Sequence, residues 1–364
     1  MYWRIFNPMN HKSIDNQAFS NSILSWYRSN PRELPWRGTQ NPYKIWLSEI
    51  ILQQTRVAQG LPYYYKFVTQ YPTVKDLAEA PEEEVLRLWQ GLGYYSRARN
   101  LHFCAKQIWF DRAGEFPNSY EELIKLKGVG SYTAAAIASF AFGECKAVVD
   151  GNVFRVLARV FGIETDIASG KGKRQFQELA DQLISKDEPG EYNQAIMDFG
   201  ARLCVPAKPD CESCPFNGSC FAYTHNLVDS LPVKINKTKV KDRHLHYFVI
   251  RCGGSWVWKR RNSGDIWEGL FDFPLAEKAN QEEEHQLNIP VESQEVRKFP
   301  KKYRHILSHQ RLHAEFSEIE IDVRYQEKLE KWAYEEGFMM VEEERIEELA
   351  KPKLIVNFLN DQGF

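Results

Sequence analysis

The stretch 126–150, LKGVGSYTAAAIASFAFGECKAVVD, constrains this chain more than any other. Gly128 and Gly130 bracket Val129 between a segment expected to be helical as far as Lys127 and an apolar run that opens near Tyr132. Glycine there permits positive φ and close approach of a ligand, and the turn leaves a row of backbone N–H groups at the start of the next helix. Such a row binds a phosphate oxygen without regard to nucleotide sequence. The helix expected over 133–142 is rich in alanine, lacks the bulk to fill a core alone, and must pack closely on its neighbours. Asp150 follows Val148-Val149 and precedes Gly151-Asn152, a place suited both to capping a helix and to presenting a carboxylate.

A length of 364 residues allows two or three domains, each with its own core. With 43% hydrophobic and 26% charged residues the composition is that of an ordinary soluble protein. No run reaches the roughly 18 apolar residues of a membrane span, and no basic-then-apolar leader opens the chain, so a cytoplasmic monomer with no membrane partner is expected. Met9 offers a second initiator, and residues 1–9 are assigned no function. The net charge of −2 excludes a global electrostatic pull on nucleic acid. Any such binding must come from local clusters such as Gly93-Tyr94-Tyr95-Ser96-Arg97-Ala98-Arg99, which a solvated helix face would also explain.

Apolar residues at Ile14, Ala18, Phe19, Ile23, Trp26 and Tyr27 predict a helix over 13–28, broken by Leu34-Pro35-Trp36-Arg37. Asn41-Pro42 supplies an N-cap and a first-turn proline for a helix over 43–57, apolar almost all round and therefore buried. Against that background Glu49, Gln53 and Arg56 are spaced to share one face. A buried carboxylate has a raised pKa unless an ionic partner offsets it, as a general acid near neutral pH requires; a structural Glu–Arg pair is the alternative. Further helices are expected over 62–70, 74–80, 82–90, 97–110, 119–125, 153–161, 176–184 and 192–203, with no strand signal, so this half is all-α. Gly91-Leu92-Gly93-Tyr94-Tyr95 is a turn that displays two aromatics, suited to wedging between base steps.

Cys204, Cys211, Cys214 and Cys220 follow the spacing C-x6-C-x2-C-x5-C. Disulfides do not suit a cytoplasmic chain, and zinc sites usually bring two close pairs, so the spacing favours an iron–sulfur cluster over zinc. Cys104, Cys145 and Cys252 are isolated thiols. Residues 228–242 are polar, lysine-rich and without apolar period, which marks a linker. Beyond it 244–251 alternates as a strand, Cys252-Gly253-Gly254 turns, and 255–259 pairs back. An aromatic loop over 267–274, a polar helix over 276–287, strands around 303–323 and 337–341, and a helix pair over 343–350 and 352–359 complete an α+β module.

L-x-G-V-G-x-(Lys or Tyr)-T-A, followed by V-D-x-N-V-x-R, resembles the helix-hairpin-helix glycosylase superfamily, and the cysteine spacing matches that of its 4Fe-4S cluster. With Pro35-Trp36-Arg37, Ser48-Glu49-Ile50-Ile51-Leu52-Gln53-Gln54-Thr55 and Gly91-Leu92-Gly93-Tyr94-Tyr95, the chain is similar to the adenine DNA glycosylases of the MutY family, and the last module resembles their Nudix-like domain. The resemblance implies an all-α helix-hairpin-helix glycosylase domain over 10–227 with an iron–sulfur cluster loop at 204–220, a linker, and an α+β Nudix-like lesion-recognition domain over 243–364. It implies that Glu49 protonates adenine, that Asp150 faces the sugar, and that Tyr132 and Asn152 support them. Arg37, Gln53, Gln54, Tyr94, Gly128, Gly130, Leu307, Ser308 and His309 would contact DNA, and the four cysteines would hold the cluster. The substrate implied is double-stranded DNA with adenine opposite 8-oxoguanine or guanine.

Superfamily members with lyase activity carry a lysine whose amine forms a Schiff base with the sugar; Tyr132 stands at that position, which implies a mainly monofunctional hydrolase. No R-E-x-x-E-E metal box is present, so the second domain should read rather than cut. Where the family has Phe-Ser-His as its reading loop, this chain has Leu307-Ser308-His309, so insertion there is apolar but not aromatic. A sister glycosylase acting on oxidised pyrimidines or mismatched thymine would carry the lysine or lack the second domain. A non-catalytic DNA-binding protein would tolerate loss of both carboxylates, and both are present.

Overall fold

The computed structural model describes residues 14–235, 240–278, 287–291 and 295–364. Two compact units cut across the order of the chain: the first draws its described residues from 1–57, 71–75 and 103–236, the second from 58–70, 76–102 and 237–364. The helices are α1 (Asn16–Ser29), α2 (Pro42–Leu52), α3 (Val57–Gln70), α4 (Val74–Glu79), α5 (Glu82–Leu88), α6 (Tyr95–Asp111), α7 (Tyr120–Leu123), α8 (Ser131–Phe142), α9 (Gly151–Phe161), α10 (Gly170–Leu183), α11 (Pro189–Arg202) and α12 (Phe221–Thr224). Among the described residues none is long and apolar enough to cross a membrane.

The first unit closes on a core of Phe19 and Ile23 from α1, Ala135 and Ala136 from α8, Val156 and Leu157 from α9, Phe176 from α10, and Ile196 and Phe199 from α11. Every residue of α8 from Thr133 to Ser139 is buried, so its small side chains serve to bring α2 and α11 close. α1 is capped by Asp15, whose side chain accepts the Ala18 N–H at 3.0 Å, so the helix begins at Asn16, three residues after the expected Ser13. α2 is opened by Asn41, with Pro42 in its first turn. It ends at Leu52, not at Val57: Gln53 turns extended (φ −55°, ψ 117°) and Gln54 enters the left-handed region at φ +54°. The face proposed for Glu49, Gln53 and Arg56 therefore does not exist, since only Glu49 lies within the helix. α3 already begins at Val57 and contains Pro62 rather than opening on it.

In the second unit the strands β1 (Lys241–Cys252), β2 (Ser255–Arg260), β3 (Phe271–Asp272), β4 (Leu275–Lys278), β5 (Glu295–Lys298), β6 (Tyr303–Ile306), β7 (Gln310–Ile321) and β8 (Met339–Glu342) form one mixed sheet. β1 lies along β7 in parallel and pairs antiparallel with β2 and β4. Cys252 faces Ser255 across the two-residue turn Gly253-Gly254, whose φ values of +55° and +81° suit the right-handed twist of the hairpin. β1 does not alternate in burial, because both faces of the sheet are covered. Phe248 and Ile250 meet Leu329 and Trp332 of α13 (Gln326–Glu335), while Tyr247 stacks on Phe316 and Phe316 on Phe358 of α14 (Lys353–Asp361), the last pair 4.0 Å apart. The expected polar helix over 276–287 begins instead within β4, and 279–286 lie outside the described residues, as does Met9. The helix expected at 343–350 is a 3-10 segment, Glu343–Glu348.

Residues 82–99 belong with this module through specific contacts. Lys351 donates its backbone N–H to Gln90 Oε1 at 2.8 Å, Arg99 binds the carbonyl of Glu268 at 2.5 Å, and Gly269 faces Leu86.

Candidate active site

Glu49 projects from α2 and is 6% exposed. Asp150 is the N-cap of α9: Oδ1 accepts the N–H groups of Asn152 and Val153, both at 2.8 Å, and Oδ2 accepts Asn152 Nδ2 at 2.9 Å. Capping and presenting a carboxylate are thus one arrangement. Tyr132, in the first turn of α8, brings its hydroxyl to the Glu49 carboxyl and within 3.1 Å of Met197 Sδ on α11. That hydroxyl holds one proton. It donates to Glu49 when the acid is ionised, and can turn to the weakly accepting sulfur when Glu49 is itself protonated.

Burial, reinforced by the negative charge of Asp150, pushes Glu49 up to about 7, against the Tyr132 hydroxyl and the charge of Arg37. Burial also lifts Asp150 above the usual aspartate value, but its N–H donors pull the other way. Burial thus raises both carboxyls, but only Asp150 has N–H donors that favour its charged form. Burial, then the two carboxylates, raises Tyr132 well above its ordinary value, so it stays a neutral hydrogen-bonding group.

Asn152 is held in turn. Its Oδ1 accepts Arg155 Nη2 at 2.8 Å, which turns the amide nitrogen towards Asp150, and Arg155 also binds the carbonyls of Gly200 and Cys204, both at 2.7 Å. A Cβ at Gly200 would stand 2.7 Å from Asn152 Cβ, so α11 approaches the site only with glycine there.

Arg37, expected on the DNA, is held by Asp198 of α11 in a two-pronged ion pair, with its side chain 13% exposed, Nη1–Oδ2 2.5 Å and Nη2–Oδ1 2.7 Å. Gln53 caps the end of α2 and donates to Thr133 Oγ1 at 3.1 Å, while Gln54 is exposed in its left-handed conformation. Gly128 has φ +78°; Gly130 is the extended N-cap of α8, exposed and without side-chain capping of that turn.

Cys204, Cys211, Cys214 and Cys220 are free thiols of the first unit. Arg159 of α9, 3% exposed, reaches Cys204 Sγ at 3.5 Å and the carbonyls of Val205 and Pro206 at 2.8 and 3.0 Å. Burial, joined by the neighbouring thiols, pushes Cys211 and Cys220 up and Cys214 up to about 12. Among the described residues, no group of three or more His, Cys, Asp or Glu side chains is arranged to hold a metal ion. The four sulfurs share one electrostatic field beside a buried cation.

The remaining expected contacts lie in the second unit. Tyr94 has φ +51°, is 45% exposed, and stacks under Arg97 at 5.4 Å. Leu307-Ser308-His309 is the turn between β6 and β7, closed by Leu307 N–H donating to Gln310 O at 2.8 Å, with Ser308 Oγ 3.2 Å from His309 Nδ1. Beside it Ile306 is 67% exposed, an apolar side chain at the tip of the hairpin. Sequence reasoning missed Ile306, Arg155, Met197 and Asp198. Arg155 alone carried a signal, as the last residue of V-D-x-N-V-x-R; the others declare themselves only through tertiary contacts.

Residues 47–185 match the family described as HhH-GPD superfamily base excision DNA repair protein, and 246–361 match the NUDIX domain. The chain is 39% identical over 264 residues to an adenine DNA glycosylase of Buchnera aphidicola subsp. Baizongia pistaciae, covering 71% of this chain and 73% of that one. It is 46% identical over 214 residues to the adenine DNA glycosylase of Homo sapiens, covering 56% and 39%. Among solved structures, a thermostable thymine-DNA glycosylase superposes with a TM-score of 0.53 at 32% identity, over 58% of this chain and 97% of that one.

Proposed function

The chain belongs to the adenine DNA glycosylases, and on that premise we propose that Glu49 and Asp150 divide between them the chemistry of removing the base. As a member of that family it excises adenine from DNA in base excision repair, by hydrolysis of the N-glycosyl bond. The observation that carries the division is the difference in donors: Asp150 accepts three N–H bonds, whereas Glu49 is buried beside one neutral hydroxyl and a second carboxylate.

Adenine leaves poorly as an anion, so Glu49 donates its proton to the base. The sugar becomes oxocarbenium-like, and the ionised Asp150 stabilises or captures it before water completes the hydrolysis. Asn152 fixes the orientation of Asp150, and Tyr132 that of Glu49. No amine stands where Tyr132 is, which supports a mainly monofunctional enzyme. The adenosine must first leave the stack, at a cost of a few kcal/mol. Gln53, Gln54 and Tyr94 are proposed to fill or wedge the stack, and the N–H groups after Gly128 and Gly130 to bind the backbone phosphates.

For the opposite base we propose 8-oxoguanine or guanine, read by Ser308 and His309 with Leu307 as apolar filler. Their exposure on a hairpin turn supports this. The cysteines are proposed to hold a 4Fe-4S cluster. The donor set is all sulfur, and the buried Arg159 cation beside Cys204 Sγ favours the thiolate form that ligates iron, which fits that group. When bound, the cluster would tie the 204–220 loop together. A monomer in the cytoplasm completes the reading.

The test is single-turnover base release from duplexes with adenine opposite 8-oxoguanine, adenine opposite guanine, and thymine glycol. Glu49→Gln and Asp150→Asn are expected to abolish adenine release and retain duplex binding; Asn keeps the cap of α9, so the fold is spared. Release by Glu49→Gln within about tenfold of the parent removes Glu49 from the role of acid. Release of thymine glycol in preference to adenine would overturn the substrate assignment.

A further inference from the structure

We propose that Asp198 is a positioning residue for the catalytic acid: by gripping Arg37 with both carboxylate oxygens it governs how much of that cation's charge bears on Glu49. The proposal rests on the reading of Glu49 as the acid.

Arg37 and Asp198 form a fork-to-fork pair whose side chains are only 13% and 4% exposed. Tyr27 of α1 holds the guanidinium from another side, with its ring 5.5 Å away and its hydroxyl 3.3 Å from Nη1, and it donates in turn to Gln194 Oε1 at 3.1 Å. Arg32 stands farther off, 3.9 Å from Asp198 Oδ1. The charged and titratable groups that act on Glu49 are Tyr132 from α8, Asp150 at the start of α9 and Arg37 from the loop before α2. Asp198 and Tyr27 act on Arg37, and Arg32 on Asp198. Adjacent residues of α11 thus reach the acid by two routes, Met197 through Tyr132 and Asp198 through Arg37.

Away from bulk water a cation is screened chiefly by its own counter-ion. With Asp198 in place, Arg37 offers the acid a partly cancelled charge. Without it, the full cation favours the carboxylate form of Glu49, and the acid loses its proton at lower pH. A merely structural ion pair would lower the rate alike at every pH.

The experiment is single-turnover adenine release by the full chain from about pH 5 to 9, which reads the alkaline limb where the acid ionises. Asp198→Asn is expected to move that limb down by about half to one pH unit, so that release near the alkaline end falls roughly three- to tenfold and recovers on acidification. The pair Arg37→Gln with Asp198→Asn removes both charges and leaves no buried ion unpaired; its limb should lie above the parental one. An unmoved limb in a folded Asp198→Asn protein overturns the proposal. So does a limb at or below the parental position in the double variant, which decides the matter if the single variant fails to fold. Glu49→Gln is the control: if it releases adenine, it is the assignment of the acid that fails, and the limb belongs to another group.

Discussion

A carboxyl kept protonated by burial serves an acid catalyst and costs the fold, and both consequences follow for Glu49 as the acid we propose. Its pKa of about 7 compares with an ordinary 4.5. Below the ordinary value the group is protonated in folded and unfolded chains alike, and its burial carries no charge penalty. As pH rises from 4.5 towards 7 the unfolded chain releases the proton first, so stability falls; above 7 the loss is complete, on the order of 3 kcal/mol. Glu49→Gln, neutral at every pH, should therefore melt higher than the parent in mildly alkaline buffer and equally in mild acid. Thermal unfolding at the two pH values checks this; an equal gain at both would mean that the charge is not what the fold resists. Catalysis has the matching sign, since the acid must hold its proton, and release should decline as pH rises through about 7.

At the scale of elements, the start of α8 separates two uses of glycine. Gly128 takes φ +78°, which a side chain resists, so Gly128→Ala should destabilise the protein by about 1 kcal/mol. Gly130 is extended at φ −90°, and a Cβ there would meet nothing within 4 Å. Nothing in the fold demands glycine at that place, whereas a phosphate drawn against the N–H row would. Gly130→Ala should leave the melting temperature nearly unchanged and weaken duplex binding alike for all sequences. Equilibrium binding to matched and mismatched duplexes, beside thermal melts, distinguishes the two variants. Unimpaired binding by Gly130→Ala would remove the turn from the interface.

For the whole molecule, the residues proposed for excision and those proposed to read the opposite base fall in different units. Glu49 and Asp150 belong to the first, and Ser308 and His309 to the second. Ser308→Ala with His309→Ala should lower the preference for adenine opposite 8-oxoguanine over adenine opposite guanine roughly tenfold, the worth of a lost base contact of about 1–3 kcal/mol. Cleavage of the guanine duplex should persist. Single-turnover rates on the two duplexes provide the comparison, and an unchanged ratio would mean that the hairpin does not read the damaged base. Ile306 gives the hairpin an apolar side chain next to Leu307, so it can offer aliphatic surface although it has no aromatic ring.

Local chemistry by itself determined much of this protein. The helical half, the N-cap at Asn41, the glycine turn before α8 and the hairpin at Gly253-Gly254 all follow from residues within a few positions of one another. Tertiary structure decided where α2 stops, because Gln54 enters the left-handed region without the glycine that would announce it. It decided that β1 is covered on both faces, since α13 and α14 come from distant sequence. It also gave Arg37 a partner in Asp198, 161 residues away. Propensity, capping and turn geometry are short-range and legible in a string of residues. The partner of a buried charge, and hence the pKa of the acid beside it, depends on which helices meet, and only the folded chain fixes that.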